Sequence, residues 1–133
     1  MNKSYKGLML WVIIFIAGMC VPPLLPIDDT ALITNLSLLY CTAAITVLIY
    51  IIYRYDKIYW INGVIFEDAE KMTRQQRNEF TYAHFVKFRN CFIIHLVFAV
   101  AAHFFDFPIW AIITLPMLLL IATAISTIKI KTE

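Results

Sequence analysis

Polar and apolar positions along this chain sort into long blocks and do not alternate. Four blocks read as apolar: 8–27, 31–53, 88–106 and 109–128. A bilayer core takes roughly 20 apolar helical residues. The second block, with "AAITVLIYIIY", and the fourth, with "LPMLLLIATAI", reach that length unaided. The third is short between Cys91 and Phe105 and has to borrow "FVKFRN", with Lys87 and Arg89 snorkelling toward headgroups. In the first, "VPPLLP" removes two backbone donors at Pro22 and Pro23, so the helix should end or bend near Val21. The pattern predicts an all-α membrane protein: one domain over 1–133, four transmembrane helices in two hairpins, and a polar loop over 54–90.

That loop has its own pattern. Tyr53, Tyr55, Tyr59 and Trp60 suit headgroup depth. Asn62-Gly63 is a turn signal. Thr73 and Gln76 fit a capping box, so a helix should begin at Arg74. No Gly or Pro interrupts "RQQRNEFTYAHFVKFRNCFIIHLVF". This predicts an amphipathic loop helix continuous with the third span. Its stripe of Phe80, Phe85 and Phe88 reads either as an interfacial anchor or, with Phe66, Glu67 and Asp68, as a surface for a membrane or cytosolic protein partner. The carboxylates of Glu67, Asp68 and Glu70 lack a glycine-containing ligand loop, and helix-dipole complementation explains them as well.

Composition and charge sharpen this picture. The chain is 62% hydrophobic and only 15% charged, where soluble domains carry about a quarter charged residues. The bilayer is therefore its first partner. A net charge of +2 makes no case for nucleic acid. Distribution matters more than the total. All 11 lysines and arginines fall before the first span, between the second and the apolar run of the third that starts at Cys91, or after the fourth. The connectors "PIDDT" and "DFP" hold acids alone. The positive-inside rule then predicts cytoplasmic N- and C-termini, a cytoplasmic middle loop and residence in the cytoplasmic (inner) membrane. The same sorting argues against dual topology. The first block reads as a retained span, because "IAGMC" puts Met19 where a small residue should precede a processed Cys20.

Chemistry-bearing residues are few. His95 and His103 are the ionisable residues well inside the blocks, and such residues default to functional hypotheses. On a helix they face within about 80° of each other. They suit a proton or small-ion path, or else neutral rings hydrogen-bonded to neighbouring helices. Asn35 and Thr42 lead a set of span hydroxyls and amides whose usual role is bonding across helices. Pro116 should kink the fourth helix and free a carbonyl. His103, Asp106, Asp28 and Asp29 would form a metal site only if the two hairpins meet there; otherwise neither metal nor other cofactor is expected. Cys20, Cys41 and Cys91 form no C-x-x-C pair, and no nucleotide, metalloprotease or serine-hydrolase motif is present. No catalytic residue is assigned.

The stretch "YWINGVIFEDAEKMTRQQRNEFTYAHFVKFRNCF" resembles the loop of small multi-span bacterial membrane proteins of unknown function. It is similar in arrangement to the signal-peptide-toxin immunity proteins. The resemblance covers residues 59–92, and "FEDAEK" lengthens the turn relative to that pattern. It implies a small integral membrane protein without known catalysis, protective against a membrane-active toxin. Three functions follow in order of preference. The first is a non-enzymatic protein acting by protein–protein contact in the membrane, as an accessory or immunity protein, with homo-oligomers compatible. The second is a small transporter or channel using His95 and polar residues of the second and fourth spans. The third is an interfacial enzyme using His84, Glu67 and Asp68.

Overall fold

The computed structural model describes residues 3–61 and 63–130; Asn62 of the expected turn and Lys131 lie outside the described residues. Five α-helices follow one another: α1 (Lys6–Met19), α2 (Thr30–Arg54), α3 (Phe66–Lys71), α4 (Arg74–Phe104) and α5 (Ile109–Ile128). Short 3-10 turns sit at Pro22–Leu24 and Ile58–Trp60. Four stretches are long and apolar enough to cross a membrane: Lys6–Leu24, Thr30–Arg54, Arg74–Phe104 and Ile109–Ile128. The chain is an all-α, multi-pass membrane protein.

Local chemistry explains the boundaries. The apolar block of the first span continues to Ile27, but α1 stops at Met19 and the prolines allow only a 3-10 turn. Asp29 caps α2, its carboxylate accepting the Leu32 N–H at 3.0 Å. Thr73 and Gln76 form the complete capping box at the start of α4, and the helix then runs 31 residues without a break. Pro108 stands immediately before α5, where its missing N–H costs nothing. Two helices end in the same way. Asp56 follows α2 at φ 54° and Asp106 follows α4 at φ 50°. The Lys57 N–H returns to the Ile52 carbonyl and the Phe107 N–H to the Ala102 carbonyl, both at 3.0 Å. These are Schellman turns with aspartate at the left-handed position that glycine usually takes.

Helix α2 is the centre of the bundle, packed against α1, α4 and α5. It runs antiparallel to α4. Tyr53 meets Tyr82 and Phe85 near one end, while Asn35 meets Ala99 near the other. Helix α1 is peripheral and has no buried residue. Its docking to α2 rests on Tyr40, whose hydroxyl donates to the Ile14 carbonyl at 3.0 Å and whose ring stacks on Phe15. Gly18 makes room for that tyrosine: a Cβ there would fall 2.0 Å from its hydroxyl oxygen.

The connection between α2 and α4 folds into a compact cap. Ile58, Tyr59, Ala69 and Phe80 form its buried cluster, flanked by Trp60, Ile61, Val64, Phe66, Met72 and Ile130. The N-terminal segment joins it, since the Tyr59 hydroxyl bonds both the N–H and the carbonyl of Ser4 at 2.9 and 3.0 Å. Trp60 Nε1 donates to the same carbonyl at 3.1 Å. Ser4, the loop and Ile130 thus meet at one end of the bundle.

Candidate functional site

Between α2 and α4 runs a line of buried polar groups. Asn35, Thr42 and Thr46 share one face of α2, and His95 answers from α4. Asn35 Nδ2 donates to the Ala99 carbonyl at 2.8 Å. Thr42 Oγ1 lies 2.9 Å from His95 Nδ1. Thr46 Oγ1 reaches the Thr42 carbonyl at 2.8 Å and the Phe88 carbonyl at 3.2 Å. His95 is 1% exposed and Asn35 5% exposed.

Two atoms in this seam are left over. Asn35 Oδ1 and His95 Nε2 are buried without a hydrogen-bond partner among the described residues. The Thr42 hydroxyl has a single proton. If that proton goes to the Leu39 carbonyl, 3.1 Å away, then Nδ1–H donates to Thr42 and Nε2 is a bare acceptor. If it goes to Nδ1, then Nε2 carries an unused N–H. In either tautomer the ring has unspent bonding capacity, at a cost of about 1–3 kcal/mol for a buried group. His95 lines a groove of about 150 Å³ with Ile94, Phe98, Leu115, Pro116 and Leu119. Pro116 adds to the imbalance, because it lies inside α5 without an N–H to return to the Ile112 carbonyl.

The other residues that stand out in the sequence are placed as follows. His103, Asp106 and Asp29 line a second pocket of about 230 Å³ with Asn35, between the start of α2 and the α4–α5 turn. Asp28 is exposed and does not line it. The ends of the two helix pairs do approach each other there. Even so, no group of three His, Cys, Asp or Glu side chains is placed to hold a metal ion among the described residues. Among the described residues the His103, Asp106, Asp28 and Asp29 side chains are not gathered into such a group: Asp28 is exposed outside the pocket, and Asp29 caps α2. The cysteines at 20, 41 and 91 are free thiols.

The aromatic stripe works within the chain. Phe80 is buried in the loop cluster. Phe85 stacks on Tyr53 and contacts Tyr50 of α2. Phe66 packs edge-on against Tyr59, with Lys3 over its ring, and Phe88 is half-buried. Glu67 and Asp68 are exposed and pair with Lys3 at 3.7 Å and Lys71 at 3.3 Å. His84 is buried, with Nδ1 2.9 Å from the Phe80 carbonyl one turn back and its ring against that of Phe80.

Sequence reasoning gave Arg77 and Lys87 no such roles. Arg77 binds both oxygens of Asp56 at 2.7–3.0 Å and the Met72 carbonyl at 2.6 Å. The hydrogen bonds it donates to Asp56 hold the guanidinium pKa above the ordinary value. Lys87 donates to the Ser126 carbonyl in the last turn of α5, where helix carbonyls lack partners and a cation suits the dipole. Local spacing signals neither role, since Arg77 lies 21 residues from Asp56 and Lys87 39 from Ser126. No family model, curated protein or solved structure matches the chain.

Proposed function

We propose that this chain is a non-enzymatic membrane protein that acts by lateral protein–protein contact within the bilayer, as an accessory subunit or a toxin-immunity protein of a bacterial inner membrane. The observation that carries this reading is the groove between α4 and α5. It is apolar apart from His95, whose Nε2 is buried and has no partner among the described residues. Lipid tails offer that nitrogen nothing. A neighbouring helix would fill the groove with its apolar side chains, and once the cover over the ring parts, a hydroxyl or amide on that helix would complete the nitrogen's bonding. The resemblance of residues 59–92 to immunity-protein loops supports the same class. The orientation we propose has both termini and the amphipathic loop helix in the cytosol, with the spans as two hairpins. The basic residues support it, as does the meeting of Ser4, the loop and Ile130 at one end.

The test is to identify what co-purifies in mild detergent with the wild type, with Ile94→Trp, which fills the groove from its exposed side, and with Ile93→Trp, which lies outside it. A partner lost only with Ile94→Trp supports the reading. A partner indifferent to both, or none at all, removes it. A transporter is the second reading, favoured by the run of buried polar groups Asn35, Thr42, His95 and Thr46. A liposome flux altered by His95→Ala, in a protein without partner, would put that reading first.

A further inference from the structure

At the loop end, α2 and α4 frame a pocket of about 260 Å³ lined by Tyr53, Arg54, Asp56, Arg74 and Asn78. It is distinct from both the His95 groove and the pocket at the opposite end. Arg54 is the last residue of α2 and Arg74 the first of α4, so the pocket lies where the two longest helices meet at the loop end of the bundle. Neither guanidinium forms an ion pair or hydrogen bond within the described residues. Arg74 and Asn78 are four apart and project from one face of α4. Both phosphate-binding side chains and the neutral lining groups offer donors: two guanidinium forks, the Asn78 amide and the Tyr53 hydroxyl.

The pocket's acceptor is already committed. Both carboxylate oxygens of Asp56 are bound by Arg77, so the pocket keeps the charge of two arginines. That ion pair also fixes the turn after α2 and with it the position of Arg54 relative to α4. The positive end of the α4 dipole adds to the field. Tyr53, held against Tyr82 and Phe85, sets an aromatic wall at the depth where tyrosines meet headgroups.

We infer that this pocket is a binding site for a phosphate oxyanion carried by an anionic phospholipid headgroup at the membrane surface. Arg54 and Arg74 grip the phosphate from opposite sides, each able to bind two oxygens, and Asn78 donates a further hydrogen bond. Free phosphate shares this chemistry, and the experiment separates the two sources.

The detergent-purified full chain is titrated with phosphatidylglycerol and with phosphatidylcholine, and bound lipid is read by native mass spectrometry. The site predicts preferential retention of phosphatidylglycerol. Each arginine near an anionic headgroup contributes about fivefold in affinity, so Arg54→Gln with Arg74→Gln should weaken retention by well over tenfold. Lys71→Gln, which removes as much charge outside the pocket as Arg74→Gln alone removes within it, should leave it unchanged. Arg74→Gln alone, expected to cost about fivefold, serves if the double variant does not purify as a single species. Inorganic phosphate that binds as well as the lipid and displaces it would assign the site to free phosphate and overturn the headgroup. Retention undiminished in the arginine variants, or diminished equally by Lys71→Gln, overturns the site itself.

Discussion

At the loop end of the bundle α2 leaves through Tyr55 and Asp56; at the opposite end α4 leaves through Phe105 and Asp106. The backbone is the same in both places, a Schellman turn with a left-handed aspartate. The side chains are used in opposite ways. Asp56 is bound through both oxygens by Arg77, which also holds the end of the loop at Met72. Asp106 has no hydrogen bond or ion pair among the described residues and lines an open pocket with His103, Asp29 and Asn35. One end therefore offsets its backbone strain with a side-chain network, and the other leaves the strain and a carboxylate facing solvent.

The sharpest way to break this contrast is Arg77→Ala. It strands a partly buried carboxylate and removes a donor from the Met72 carbonyl. Cutting one partner of a fully buried ion pair costs about 3–5 kcal/mol. Because Asp56 is 36% exposed, the expected loss is nearer 2 kcal/mol. Denaturant titration in detergent reads it. A loss below half that size would mean that the loop cap is held by its apolar cluster and not by the ion pair.

The opposite end depends on fit more than on charge. Gly18→Ala should displace Tyr40 from α1, because the added carbon overlaps the tyrosine ring. Overpacking of this kind costs about 1–3 kcal/mol, and a mobile tyrosine tip puts the expectation at the low end. Tyr40→Phe in the same chain should recover part of the loss, since the overlapping hydroxyl is gone. If the double variant shows no recovery, the two residues do not meet as described. Proteolysis of α1 in detergent provides a second readout.

How much of this was legible beforehand depends on whether the signal is local. The apolar blocks announce four spanning helices by composition, and Thr73 with Gln76 announces the start of α4 within four residues. The first span's end was visible in Pro22 and Pro23, though its apolar run to Ile27 hid how early α1 stops. The Schellman turns were not visible, because "YDK" and "FDF" carry no glycine. Asn35, Thr42 and His95 stand out by type, but that Thr42 meets His95 is a matter of helix register, which no window of sequence contains. For the same reason no window of sequence contains the entry of Phe80 into the loop cluster or the stacking of Phe85 on Tyr53. A surface stripe and one turned toward α2 have the same periodicity.

Within the polar seam, Asn35→Ala sets a smaller scale. It removes the bond to the Ala99 carbonyl but also removes Oδ1, which has no partner among the described residues. Interhelical side-chain bonds in membrane proteins average about 0.6 kcal/mol, and the relief of Oδ1 offsets some of that. A change near zero is expected from thermal unfolding in detergent. A loss above about 2 kcal/mol would mean that Oδ1 is bonded after all, through water or a second chain.

The most direct comparison of the two turns is one substitution made in both. Asp106→Gly keeps the left-handed turn and removes its steric cost, so the folded protein should gain about 0.5 kcal/mol, after the greater freedom of glycine in the unfolded chain is subtracted. Asp56→Gly relieves the same strain yet leaves Arg77 without its carboxylate, so its net effect should be a loss. Opposite signs from the same substitution in the same backbone would isolate the ion pair as the difference between the two ends. If both variants were stabilised, Arg77 would be indifferent to Asp56 and the loop end no better tied than the other. If both were destabilised, the Asp106 carboxylate would have a partner of its own, and the pocket beside Asn35 and His103 would be the place to look for it.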